Sequence, residues 1–241
     1  MAGSVSNTPS RPLLLGHRGL RMRGLRRITS TAPTENSVAA FEHAISQGCD
    51  GFEFDVRHTR DARNVLWHDP EFNGREIAAT DFAELTARDG SRLACLEEVL
   101  QQFGHRAYLD IEVKGAGGEE RIVAALKQNP PQRAYIVSSF LPQVLLRVHD
   151  LDEQIPLGYI CEHVAMADRW RELPIKVFLP RHDLVRPQQV EDAHGSGIQV
   201  MTWTVNSRQR MRELSSWGVD GLISDDPQLL LRTLGAGRVR E

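Results

Sequence analysis

The apolar positions of this chain fall in short runs separated by longer amphipathic stretches, and the alternation is regular. Runs that read as strands are PLLLGHR (12–18), DGFEFDV (50–56), NVLWHD (64–69), AYLDIEVK (107–114), RAYIVSS (133–139), IPLGYI (155–160), IKVFL (175–179), IQVMTWTV (198–205) and DGLISD (220–225). Segments of helical period lie at 36–47, 96–103, 119–128, 141–150, 163–171, 187–195, 207–216 and 227–234. Strand and helix alternating in this way is the pattern of a parallel sheet whose crossovers are helices. One neighbouring pair breaks it. The runs 50–56 and 64–69 are joined by RHTRDAR, too short for the crossover of roughly ten or more residues that parallel strands require. The 64–69 run is therefore expected to return antiparallel, as a hairpin on 50–59. Setting it aside leaves eight βα units, which predicts an α/β protein of the (β/α)8 or TIM-barrel type, closed by the 220–225 strand and carrying a β-hairpin after strand 2.

Length and composition fit that picture. The chain has 241 residues, and barrels of this kind often reach such a length as one domain. We expect a single barrel domain over 12–235, preceded by a disordered segment over 1–11. The start, MAGSVSNTPSRP, lacks the apolar core of a signal peptide, and no run approaches the roughly 18 apolar residues of a spanning helix. The net charge of −3 gives no pull toward nucleic acid or a membrane surface. Cys49, Cys95 and Cys161 are far apart and odd in number, which argues against a disulfide framework and for a reducing compartment. The expectation is a cytoplasmic protein that acts on a small molecule, with no nucleic-acid partner and no stable membrane insertion; oligomeric state is not legible.

Active sites of barrels lie at the C-terminal ends of the strands. The polar residues there are His17 and Arg18, Glu53 and Asp55, Glu112 and Lys114, Trp203 and Asn206, and Asp225 and Asp226. Glu53/Asp55 and Glu112/Lys114 each repeat at two-residue spacing inside an apolar strand, which puts each pair on one face. The hairpin returns His68 toward Asp55. Inward carboxylates are costly unless paired or metal-bound. Glu53, Asp55 and Glu112 outnumber the one nearby lysine, so a hard divalent cation with oxygen ligands, Mg²⁺ or Ca²⁺, would balance them. No Cys or His pair has the spacing of a zinc site. Each feature also has a plainer explanation: a solvated sheet face for E-x-D, a cross-strand ion pair for E-x-K, a core histidine at 17, a turn residue at 68, and packing for Trp203. Their joint occurrence at one end of one predicted barrel favours chemistry.

The ordered elements LLLGHRG, PTENSVAAFEHAISQGCDGFEFDVRHTRD, VLWHDP, LEEVL, LDIEVK, VSSF, WTVN and GVDGLISDDP resemble the glycerophosphodiester phosphodiesterase family, whose fold is a TIM barrel. The resemblance implies a metal-dependent phosphodiesterase that hydrolyses glycerophosphodiesters to sn-glycerol 3-phosphate and an alcohol. It implies that His17 and His68 are the general acid and base, that Glu53, Asp55 and Glu112 hold the divalent cation, and that Arg18 and Lys114 contact the phosphate. Glu35, in the PEN-like element, and Trp203, an aromatic of the alcohol pocket, are implied to bind substrate. The alternatives are a lysophospholipase D-like phosphodiesterase releasing a cyclic or lyso phosphate, and a barrel that binds a phosphorylated ligand without turnover.

Two segments depart from the family pattern. The loop 20–32 is long and basic, with Arg21, Arg23, Arg26 and Arg27; it either grips an anionic headgroup or is a solvated loop. The connection 70–95 is short. Its DFAELTARDG stretch has room for one short helix and not for an independent subdomain, so the pocket is expected to be open on that side.

Overall fold

The computed structural model describes residues 11–21, 33–86 and 92–235. The segment expected to be disordered, 1–11, lies outside these except for Arg11, and the basic loop lies outside them except for Leu20 and Arg21. Eight parallel strands form the ring: β1 (Leu13–His17), β2 (Gly51–His58), β6 (Tyr108–Val113), β7 (Tyr135–Ser139), β8 (Leu157–Cys161), β9 (Val177–Pro180), β10 (Gln199–Thr202) and β11 (Gly221–Ser224). Each pairs with the next, and β1 closes the ring between β11 and β2. The outer helices are α1 (Val38–Gln47), α2 (Leu96–Phe103), α3 (Glu119–Gln128), α4 (Pro142–Leu151), α5 (Pro187–Gly195), α6 (Arg208–Ser216) and α7 (Pro227–Leu234).

The hairpin stands outside the ring as expected. β3 (Asn64–Leu66) pairs antiparallel with the end of β2, with Val56 opposite Leu66 and His58 opposite Asn64. The connection after it holds a small ribbon, β4 (Glu71–Phe72) and β5 (Arg75–Glu76), and single 3-10 turns at Ile77–Ala79 and Phe82–Glu84. The described part of DFAELTARDG, 81–86, holds one 3-10 turn. Phe72, Ile77, Leu85 and Leu93 pack with Val65 and Cys95 into a satellite core against the hairpin.

One expected helix is absent. The segment 163–171 forms two 3-10 turns, Val164–Met166 and Arg169–Glu172. Only Ala167 and Trp170 are buried there, while Val164 is 75% exposed. Ala167 closes the first turn and Trp170 lies in the second, one anchor for each. The two anchors do not make the i, i+3, i+4, i+7 stripe that holds an α-helix on a sheet.

Strand parity divides the apolar residues into two cores. Phe52, Phe54, Leu109, Ile111 and their neighbours face the helices, where Phe41 of α1 stacks on Phe52 with ring centroids 4.2 Å apart. Leu15, Ile136, Ile160, Val177, Leu179, Met201 and Ile223 fill the barrel. Two residues further along the same parity come the polar groups, and this is what places the site at the strand ends.

Candidate active site

At the end of β1 the chain turns sharply through Arg18 and Gly19, both left-handed at φ 52° and 75°. A Cβ on Gly16 would stand 2.1 Å from the Gly19 carbonyl oxygen, so the turn can fold back over the strand only on a glycine. The fold-back aims the Arg18 N–H at Glu53 Oε2, 3.0 Å away. It also buries the Arg18 guanidinium, with Nη1 donating to Glu35 Oε1 at 2.8 Å and Nε 3.0 Å from Asp55 Oδ2, off the hydrogen-bonding line. Glu35 accepts from Arg21 as well, at 3.1 Å. The structure therefore places Glu35 behind Arg18, as the partner of two guanidinium groups.

His17, Glu53 and Glu112 point into the barrel mouth. They line a narrow cleft with Asp110, Trp203 and the aliphatic side chains of Ile160, Leu179 and Ile223. In the sheet register His17 stands opposite Glu53, Glu53 opposite Asp110 and Asp55 opposite Glu112. Oxygens of Glu53, Asp55 and Glu112 lie within 4.8 Å of one another, a buried trio that could hold a metal ion. Lys114 Nζ sits 2.5 Å from Glu112 Oε1 and 3.4 Å from Asp55 Oδ1. Among the described residues Glu53 Oε1 and Asp55 Oδ1 have no hydrogen-bond partner. Buried carboxylate oxygens left in that state fit an oxygen-binding cation such as Mg²⁺ or Ca²⁺.

The electrostatics differ sharply between neighbours. Burial, with the charges of Asp55, Glu112 and Asp110, holds Glu53 well above the usual carboxylate range. Burial also lifts Glu112 to about 7, against the pull of Lys114. Burial would raise Asp55 too, but Lys114, Arg18 and a hydrogen bond from Asn36 outweigh it and keep Asp55 below its ordinary value.

The two histidines are built alike. His17 Nδ1 is 2.6 Å from Asp225 Oδ1, and His68 Nδ1 is 2.7 Å from Asp69 Oδ1. A carboxylate on Nδ1 favours the tautomer with the proton there and leaves Nε2 free to exchange one; His17 Nε2 lies 3.7 Å from Glu53 Oε2. Burial lowers both imidazole pKa values, with Asp225 opposing at His17 and Asp55 at His68. Trp67 N donates to the Asp55 carbonyl at 3.2 Å, which draws the hairpin end over β2. Trp203 meets Phe140 edge-on at 5.3 Å, and its indole N–H donates to the Leu179 carbonyl at 2.8 Å.

Three further residues belong to this arrangement. Asp110 shares the two-residue spacing with Glu112 that Glu53 has with Asp55, so the same pattern could have found it. Asn36 clamps Asp55, its Nδ2 donating to Oδ2 at 2.8 Å and its Oδ1 accepting the Asp55 N–H at 3.1 Å; its neighbour Glu35 was the only pointer. Asp225, named above only for its place at a strand end, orients His17 and is itself held by Asn206 at 2.7 Å.

A buried acidic cluster beside a carboxylate-anchored histidine stands here at the carboxyl ends of a closed parallel barrel, where (β/α)8 enzymes carry their active sites. Comparison with known proteins narrows the class to phosphoric diester hydrolases. A glycerophosphodiester phosphodiesterase of Caldanaerobacter subterraneus is 29% identical over an alignment of 251 positions, gaps included, that covers 93% of this chain and 98% of that protein. A glycerophosphodiester phosphodiesterase structure from Parabacteroides distasonis superposes with a TM-score of 0.81 at 22% identity, covering 94% of this chain and 98% of the other. A phosphodiesterase of Oleispira antarctica, solved with the product sn-glycerol-3-phosphate, has a TM-score of 0.79 at 26% identity and covers 93% and 97%. The chain belongs to the glycerophosphoryl diester phosphodiesterase family, which matches it over residues 17–229. It is thus one of a class of enzymes, and the alternative of a barrel that binds without turnover is set aside. Among the described residues no helix is long and apolar enough to cross a membrane.

Proposed function

We propose that this enzyme hydrolyses glycerophosphodiesters to sn-glycerol 3-phosphate and an alcohol with a divalent cation held by Glu53, Asp55 and Glu112. The observation that carries the proposal is the buried acidic trio beside His17, in which Glu53 Oε1 and Asp55 Oδ1 accept no hydrogen bond and only Asp55 Oδ1 has a cation near it among the described residues, Lys114 Nζ at 3.4 Å. When bound, a cation there would neutralise phosphate charge and lower the pKa of an attacking hydroxyl. Arg18 and Lys114 supply further positive charge toward the phosphate, and such charge stabilises the more highly charged transition state. One Nε2, of His17 or His68, takes the proton of the attacking hydroxyl, and the other imidazole protonates the departing oxygen. Trp203 with Phe140 forms an apolar wall for the carbon skeleton. The Oleispira antarctica relative, with sn-glycerol-3-phosphate bound, supports that product. We also read residues 12–235 as a single domain. Cys49, Cys95 and Cys161 are buried and form no disulfide, which suits a reducing cytoplasm.

Phosphorus NMR tests the proposal directly. The enzyme with glycerophosphocholine and Mg²⁺ or Ca²⁺ should yield sn-glycerol 3-phosphate, and excess chelator should abolish turnover until cation is restored. Accumulation of a cyclic phosphate would move the assignment to the lysophospholipase D-like alternative. Full activity in chelator, with no metal in the purified protein, would remove the cation from the account.

A further inference from the structure

Arg57 continues the face of β2 that carries Glu53 and Asp55, four residues on from the first and two from the second. At that point β2 has left the ring. Its parallel pairing with β6 ends at Val56, and Arg57 instead stands opposite Val65 of the hairpin. The guanidinium, half-buried, reaches along the hairpin and donates twice to one acceptor: Nε at 2.9 Å and Nη2 at 2.6 Å to the main-chain carbonyl of His68.

His68 needs such a hold. The β2–β3 ladder ends at Leu66, and the last main-chain bond of the hairpin is from Trp67 to Asp55. His68 opens a bend over 68–70, with a side chain 39% exposed. Among the described residues its ring is hydrogen-bonded to Asp69 alone, whose side chain is itself 68% exposed. A ring on an exposed bend is positioned only as well as its backbone. Loss of an oriented support typically reduces activity 10–100-fold where the supported group must meet a reacting atom within fractions of an ångström.

We propose that Arg57 is a positioning residue for His68: its two-donor clamp on the His68 carbonyl fixes the bend and so sets the imidazole for proton transfer. This rests on the reading that His68 transfers a proton.

The test compares Arg57→Met, which keeps the apolar stem and removes both donors, with the parent and with His68→Ala. Cation-loaded enzyme and glycerophosphocholine are used throughout. Side-chain NMR of labelled histidines, with the His68 signal assigned by its loss in His68→Ala, is recorded alongside kinetics. Arg57→Met should lower kcat 10–100-fold with KM within about twofold, and should shift or broaden the His68 ring signal while leaving that of His17 in place. Arg57→Lys, which retains one donor, should recover part of kcat; it also carries the comparison should the methionine variant not melt cooperatively. A kcat within twofold of the parent, an unmoved His68 signal, or a rise in KM alone would each overturn the proposal. Wild-type turnover in His68→Ala would instead overturn the proton-transfer reading, and the NMR signal would still report whether Arg57 holds His68.

Discussion

At Asp55 burial and hydrogen bonding pull in opposite directions, and the partners prevail; at Asp110, two strands' width from Arg18, they do not. Asp110 is wholly buried, accepts one hydrogen bond from Ser138 Oγ at 2.5 Å, and is pushed up to about 7. The unfolded chain would ionise it near 4. Between those values the folded state binds more protons than the unfolded one, so this group's contribution to stability is present at low pH and is lost as pH rises through about 7. Asp110→Asn, which keeps the acceptor and cannot ionise, should therefore gain on the parent between pH 4 and 8, by roughly 1 to 4 kcal/mol. Melting temperatures across that range, in chelator, check it; a difference constant with pH would show that Asp110 is ionised throughout. At His17 and His68 the expectation is kinetic. Replacing either by Ala should cut kcat by at least about 10²-fold with a cooperative melt retained, and near-parental turnover in a steady-state assay would make that histidine structural.

Element by element, the barrel is unevenly supported. Unit one is held by α1, whose Phe41 packs against Phe52, Phe54 and Phe103 with centroids 4.2, 5.6 and 6.0 Å away. Deleting that ring should cost about 3–5 kcal/mol. Unit five has only two 3-10 turns, with Trp170 anchored over Phe178 at 6.0 Å and Val164 in solvent. Val164→Asp should shift stability by no more than about 0.5 kcal/mol. Urea unfolding of Phe41→Ala and Val164→Asp measures both. A large loss at Val164 would mean that the segment packs against something beyond the described chain.

On the scale of the whole molecule, substrate choice depends on the walls above the barrel mouth. The described residues of the 70–95 connection fold back on the hairpin as a satellite core, and a connection this short is expected to leave few groups to select an alcohol. Discrimination needs differential contacts. Values of kcat/KM for choline, ethanolamine and glycerol diesters should therefore agree within about tenfold, a spread of about 1.4 kcal/mol. Steady-state kinetics on the three would show it. A hundredfold preference would point to the basic loop over 20–32 as a wall, since Arg21 already reaches inward to Glu35.

Much of this was legible in the sequence because period and spacing are local. Alternation of strand-like and helical runs, with RHTRDAR too short for a crossover, determined the eight-unit barrel and its hairpin. Two-residue spacing within apolar strands determined that Glu53 and Asp55 share the inner face with Glu112 and Lys114. Asp110 has the same two-residue spacing from Glu112, so its place on the inner face was equally local information. The helix at 163–171 failed because two buried positions cannot show which helical period they obey until the sheet beneath them is in place. Other features depend on contacts between residues far apart in the chain. The hold of Asp225 on His17 spans 208 residues, and that of Asn36 on Asp55 spans 19. Both are hydrogen bonds that form only when the fold brings β11 beside β1 and the segment after β1 beside β2. The pKa separation between Asp55 and Glu53 arises the same way, since two like carboxylates two residues apart acquire different charges only through the partners that folding delivers to each.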